Sequence, residues 1–326
     1  MKSPPKIKHA VRLATLTFIG MIAFGIFSHV VSPGPLPKSK DVMIDWGSSL
    51  GQIADTLSRE EVIAHPLLFK LVVRGLKKGD EIKAGEKRFF AFASPWEVIE
   101  ILTSNRTVMH RITIAEGLTT QQALKVVAEN PILVGEIMLN PREGELLPET
   151  YNFARGYTRD KLIEQMKVAR RKTLERLWEN RADDLPYDTP EEALVMASII
   201  ERETSLKSEM RKVAGVFANR LRKGMRLQSD PTVIYAISHG SGDLGRALTR
   251  ADLKVESPYN TYVVKGLPPG PICNPGKEAI KAALDPDDTD ALYFVADGTG
   301  GHAFADDLKE HNANVEKWRK YLRDRK

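Results

Sequence analysis

The chain has 326 residues, 42% of them hydrophobic and 28% charged, with a formal net charge of +5. That length allows two domains, or one domain and an anchor, and the composition is that of an ordinary globular protein. No basic run is interleaved with aromatics, which argues against nucleic acid as a partner. The single cysteine, Cys273, excludes an internal disulfide, and the seven His include no His-Glu-x-x-His pair, so neither a metal nor another cofactor is expected.

Leu13 to Val31 is almost wholly apolar and carries no charged residue. As a helix it spans roughly 28 Å, close to the hydrocarbon thickness of a bilayer. Lys2, Lys6, Lys8 and Arg12 precede it, which places the N-terminus on the cytoplasmic side. The competing reading is a cleaved signal peptide. The long apolar run, and the lack of a small-residue cleavage site in Ser28 to Pro33, favour an uncleaved anchor. In either case the remainder is exported. Pro33, Gly34, Pro35 and Pro37 then mark a stiff spacer.

From residue 42 to 108 the pattern is that of a small α+β module. Val42, Ile44 and Trp46 alternate as a strand. Leu50, Ile53, Ala54 and Leu57 follow at helical spacing, with Ser48 or Ser49 as N-cap. A second helix begins at Pro66 and carries Leu67, Phe69, Leu71 and Val72. Ile82 to Phe92, turning at Gly85, reads as a strand or hairpin, and Ser94-Pro95 opens a further helix. The order of elements, with Gly47 to Ala54, resembles a LysM-like module, a type often used to grip N-acetylated glycans. A generic packing or spacer domain is the alternative.

Beyond Met109, helical patterns at Leu162–Trp178 and Pro190–Leu221 give way to a loop-rich stretch holding Gly266, Pro268, Pro269, Gly270, Pro271 and Pro275. A strand over Leu292–Ala296 and an amphipathic helix near Asp307–Leu322 complete it. Gly270 to Lys277 imitates a phosphate loop but has the wrong spacing, with Glu278 after the Lys. Gly298 to Gly301 lacks the later Gly of a dinucleotide site. The expected organisation is a tail over 1–12, a transmembrane helix over 13–31, a linker over 32–41, the small module over 42–108 and a larger mixed α/β domain over 109–326. The class is α+β.

Within the helix opened by Pro190, Glu191 and Glu192 suit the positive end of the dipole. On a 3.6-residue period, Glu203 falls in line with Met196, Ile199 and Ile200, and the stripe continues to Leu206, Met210 and Val213. Glu201 falls under Ala197 and Ser198 instead. A carboxyl on the apolar face is desolvated and its pKa rises, as a general acid requires. A Glu paired with a buried Arg, or one at the edge of the stripe, fits the same pattern.

Several ordered stretches are similar to the endolytic murein transglycosylase family, also called YceG-like. They are Glu145–Tyr151, Ala197–Thr204, Val216–Leu221, Met225–Val233, Ser257–Tyr262, Gly266–Ile272 and Tyr293–Gly298 with His302-Ala303-Phe304. The chain departs from the pattern at Glu86 to Phe89, where a Tyr is commoner soon after the Gly, and at Cys273. The resemblance implies a catalytic Glu203, with Glu201 supporting it. It implies sugar contacts from Gln228, Asp230, Asn260, Tyr262 and Asn274, and a role for Arg220 toward a peptide-stem carboxylate or Glu203. It further implies cleavage of peptidoglycan glycan strands with a 1,6-anhydro product, no cofactor, and peptidoglycan synthases as partners. The implied place is a bacterial inner membrane, crossed once, with the catalytic domain outside the cytoplasm. A hydrolytic muramidase using Asp230 as second carboxylate, and a non-catalytic wall-binding scaffold, are the competing functions.

Overall fold

In a computed structural model the described residues are 5–324, with side chains from residue 9 onward. Lys2 therefore lies outside the described residues, as do the side chains of Lys6 and Lys8. The first helix, α1 (Pro5–Val31), contains a 23-residue stretch, His9–Val31, apolar and long enough to cross a membrane.

The chain divides into two units. The first comprises the residues up to His110 together with Phe153–Arg155; the second comprises Arg111–Asn152 and everything from Gly156.

In the first unit, β1 (Lys40–Ile44) pairs antiparallel with β2 (Gly85–Phe89), Lys40 opposite Phe89 and Ile44 opposite Gly85. Between them run α2 (Leu50–Arg59) and α3 (Pro66–Gly75), and α4 (Pro95–Thr103) follows. Ser49 is the N-cap of α2 and Ser94 that of α4. Each forms a reciprocal capping box with the Gln52 or Glu97 three residues on. Val42, Ile44, Leu57, Val73, Phe89, Val98 and Leu102 form one buried cluster. The strand ends sooner than its alternation suggests. Trp46 is 86% exposed on the loop before α2, because the cluster is closed at Ile44. Gly85 begins β2 rather than turning a hairpin, and the buried stripe of α3 is Phe69 and Val73, with Leu67 and Leu71 outward. A cavity of about 670 Å³ opens beside Trp46, Ser48, Gly79, Ile82 and Lys83.

The strands β3 (Met109–Thr113) and β4 (Thr150–Ala154) pair with each other. The second unit is otherwise built on helices: α5 (Thr120–Glu129), α6 (Arg159–Trp178), α7 (Pro190–Glu203), α8 (Met210–Arg222), α9 (Asp230–Ser238), α10 (Lys277–Leu284) and α11 (Leu308–Asp324). An antiparallel pair, β5 (Tyr293–Ala296) and β6 (His302–Ala305), lies before α11. At its centre is α7, packed on α10, α8, α9 and α6. Ala193 to Ile200 are all buried, so this helix is enclosed on every side rather than along one stripe.

The single helix expected over Pro190–Leu221 is two. After Glu203, Thr204 turns extended (φ −139°, ψ 135°) and its Oγ1 accepts the Leu206 N–H at 3.1 Å. A Thr hydroxyl that bonds the following backbone competes with helix continuation. The break leaves Glu203 as the last residue of α7, and Leu206, expected on the buried stripe, is partly exposed.

Candidate active site

The C-terminal turn of α7 is held by the loops around it. Ser198 Oγ accepts the Ile272 N–H at 3.0 Å, Glu201 Oε2 accepts the Gly276 N–H at 2.8 Å, and Arg202 Nη1 donates to Gly117 O at 3.3 Å. A Cβ at Gly276 would come within 2.1 Å of Glu116 Oε1, so a larger residue there requires the Glu116 side chain to move. The two acidic residues at this end, about 200° apart around the helix, differ also by partner. Burial raises the pKa of both, with the Glu116 charge adding to the shift at Glu201. The carboxylate of Glu201 is engaged with backbone. That of Glu203 is not.

The Glu203 pKa is pushed up to about 7, first by burial and then by the negative charge of Asp230. Its place at the negative end of a helix dipole works in the same direction. Ser229, Arg220 and His302 pull the other way. The Ser229 hydroxyl is turned toward Glu203 but falls outside hydrogen-bond geometry, and its Oγ is buried with no partner. Among the described residues, neither Arg220 nor His302 forms an ion pair with Glu203. The Arg220 guanidinium is held by Leu292 O at 2.7 Å and Leu227 O at 2.6 Å and lies over the Tyr293 ring. His302 Nδ1 meets Glu209 Oε2 at 2.7 Å, and the His302 N–H donates to Glu209 Oε1 at 3.0 Å. Arg220 and His302 are therefore held near the carboxyl by other partners.

Opposite these, two segments are joined by hydrogen bonds. The Gln228 N–H donates to Thr261 O at 3.1 Å and the Ser229 N–H to Thr261 Oγ1 at 3.0 Å; the Thr232 and Thr261 hydroxyls are 2.8 Å apart. This join sets Asp230, at the start of α9, against Tyr262, whose hydroxyl donates to Asp230 Oδ1 at 2.6 Å. A carboxyl that exchanges a proton near neutral pH, a second carboxylate, and amide and aromatic groups around them suit acid–base chemistry on a neutral polar substrate.

The YceG-like family matches residues 42–317. The chain belongs to this family. It is 33% identical to an endolytic murein transglycosylase of Bacillus subtilis, over 85% of this chain and 84% of that one. It is 29% identical to the protein of the same name from Streptococcus pneumoniae serotype 2, over 85% of this chain and 58% of that longer one. A crystal structure of a YceG-like protein from Listeria monocytogenes aligns with a TM-score of 0.51 at 30% identity, covering 85% of this chain and 98% of that one.

For this YceG-like chain the structure gathers Glu203, Arg220, Asp230 and Tyr262 at one place. Gln228 is exposed beside them in a left-handed conformation (φ 50°). Asn260 and Asn274 are both fully buried. Asn260 Nδ2 donates to Leu253 O and Val255 O, and its Oδ1 accepts the Tyr262 N–H at 3.0 Å. Asn274 Nδ2 donates to Leu118 O and Thr120 Oγ1, both at 3.1 Å, while its Oδ1 accepts the Leu146 N–H at 2.9 Å. Neither amide faces a cleft; each holds loops in place. Sequence reasoning missed Ser229 and the Glu209–His302 pair. Both lie in or beside family-like stretches, but only their spatial approach to Glu203 distinguishes them.

Proposed function

We propose that the chain cuts peptidoglycan glycan strands internally as a lytic transglycosylase, with Glu203 acting first as acid and then as base. The observation that carries this reading is the Glu203 carboxyl, pushed up to about 7 beside Ser229 and Asp230 and held in no ion pair among the described residues. Near neutral pH such a group holds its proton often enough to give it to the oxygen leaving muramic acid C1, and is basic enough to recover one. As that bond breaks, positive charge grows on the sugar ring, and the substrate's own N-acetyl group stabilises it. The Glu203 carboxylate then takes the proton of the C6 hydroxyl, whose oxygen closes the 1,6-anhydro ring on C1. An intramolecular nucleophile makes a second catalytic carboxylate unnecessary, unlike ordinary glycosidases. Asp230, fixed by Tyr262, keeps the Glu203 proton in place before the reaction; the Ser229 hydroxyl is free to bond the carboxyl once it ionises.

The β-α-α-β order of the first unit and the cavity beside Trp46 support a LysM-like, glycan-gripping role for that unit. The apolar α1 supports a single-pass anchor in the inner membrane with its N-terminus cytoplasmic and the catalytic unit outside. An enzyme so placed meets strands as they emerge and would end their elongation, with peptidoglycan synthases as partners. Digestion of purified sacculi, followed by mass spectrometry, tests the reaction. Anhydro-muramic ends formed by wild type and absent with Glu203→Gln are expected; reducing muramic ends would replace this reading with hydrolysis.

A further inference from the structure

One family-like stretch, Glu145–Tyr151, takes no part in the Glu203 constellation. Its last residues form instead one wall of a separate groove in the second unit, of about 560 Å³. The opposite wall is a single face of α6: Gln165, Ala169, Lys172, Thr173 and Arg176 recur at helical spacing. Ala169, with the smallest side chain of the five, leaves the hollow open, while buried Thr173 and Tyr151 form its floor. Lys277, the first residue of α10, closes one end and is ion-paired with Glu149.

The charge is lopsided. Three cations and one carboxylate line the groove, and the carboxylate is already matched by Lys277. Among the described residues, Lys172 and Arg176 have no carboxylate within ion-pair distance, although Arg171 and Lys167 on the same helix do. Two unmatched cations about one helical turn apart, flanked by Asn152 and Gln165, suit an extended ligand carrying carboxylates and amide groups. The groove is also tied to the catalytic helix. Lys277 directly follows Gly276, whose N–H is held by Glu201, two residues before Glu203.

We infer that this α6–β4 groove binds the acidic peptide stem of the strand being cut, through Lys172 and Arg176. The inference rests on the proposed action on peptidoglycan, whose stems bear free carboxylates and amide bonds. It makes the groove a specificity element, selecting strands whose stems are still attached.

The test uses the full chain in detergent and the double variant Lys172→Glu/Arg176→Glu, both exposed positions. Binding of a soluble stem pentapeptide is measured together with cleavage of strands bearing stems and of strands stripped by an amidase. The expected result is peptide affinity at least fivefold weaker in the variant and in high salt. On stem-bearing strands KM rises at least fivefold and kcat stays within twofold, so the preference for them disappears. Equal peptide binding by both proteins, or displacement of the peptide by inorganic phosphate at equal concentration, would overturn the groove as a stem site. Peptide binding that depends on these two residues, with no strand cleavage by wild type, would keep the groove and discard the transglycosylase reading. Cleavage by wild type with the same KM ratio in both proteins would do the reverse.

Discussion

Tyr262 and Asp230 are joined by a 2.6 Å hydrogen bond across 32 positions of sequence, and Asp230 is the charge that most directly opposes ionisation of Glu203. The bond fixes where that charge sits. Tyr262→Phe removes the donor and keeps the ring. A hydrogen bond to a charged group contributes about 1.5–3 kcal/mol. The expected outcome is a lowered melting temperature together with a fall in kcat/KM, because Asp230 is no longer fixed beside Glu203. Steady-state kinetics on soluble glycan strands beside a thermal melt would decide; an unaltered rate would remove Asp230 from the machinery.

The raised Glu203 pKa has two consequences of defined sign. The acid step needs the protonated carboxyl, so kcat/KM should fall tenfold per pH unit above about 7. For stability, the folded form holds this proton more tightly than the unfolded chain does. Stability is therefore complete below the ordinary Glu range and declines as pH rises from there through about 7. Glu203→Gln removes that loss. Its melting temperature should exceed that of wild type at pH 8 and lose the advantage at pH 5. Parallel pH dependence of the two melts would contradict a buried, raised carboxyl.

Glu201 and Glu203 sit two residues apart yet should respond differently to the same substitution. Gln at 201 retains an acceptor for the Gly276 N–H, so Glu201→Gln is expected to keep activity within a few fold. Glu201→Ala leaves that N–H without its partner and should reduce both stability and rate. Gln at 203 cannot deliver a proton, and a loss of about 10²- to 10⁴-fold is expected. Assaying the three variants on one strand preparation separates the roles. Equal losses from Gln at both positions would show that the partner distinction is mistaken.

What the sequence made legible follows from how local each signal is. The long apolar helix α1 and the capped helices α2 and α4 depend on nearby residues, and they appear where short-range patterns put them. The end of α7 does not. The stripe through Met196, Ile199 and Ile200 points past Glu203 to Leu206, and only the Thr204 side-chain bond shows why the helix stops. Helical periodicity separates Glu203 from Glu201 by face, but their difference in partner is not local: the Gly276 N–H held by Glu201 is 75 positions away. The site residues adjoining Glu203 come from α8, α9, the loop at 262 and β6, and no spacing rule links them.

Asn274 tests the boundary between scaffold and substrate contact. Its side chain joins two segments: it accepts the Leu146 N–H, and it donates to Leu118 O and to the Thr120 hydroxyl. Thr120 in turn donates to Glu143, a carboxyl whose pKa burial raises. Asn274→Ala would strand the Leu146 N–H inside the protein. Leaving one such group unsatisfied costs about 1–3 kcal/mol, before the lost packing is added. The expected outcome is a clear drop in denaturant midpoint, with KM for strands unchanged in the fraction that remains folded. Asn274→Asp keeps the acceptor for Leu146 but loses the donors and places a second acid beside Glu143, so it should be less stable at pH 8 than at pH 5. A KM rise without loss of stability in the Ala variant would return Asn274 to the sugar-binding surface, which its complete burial argues against.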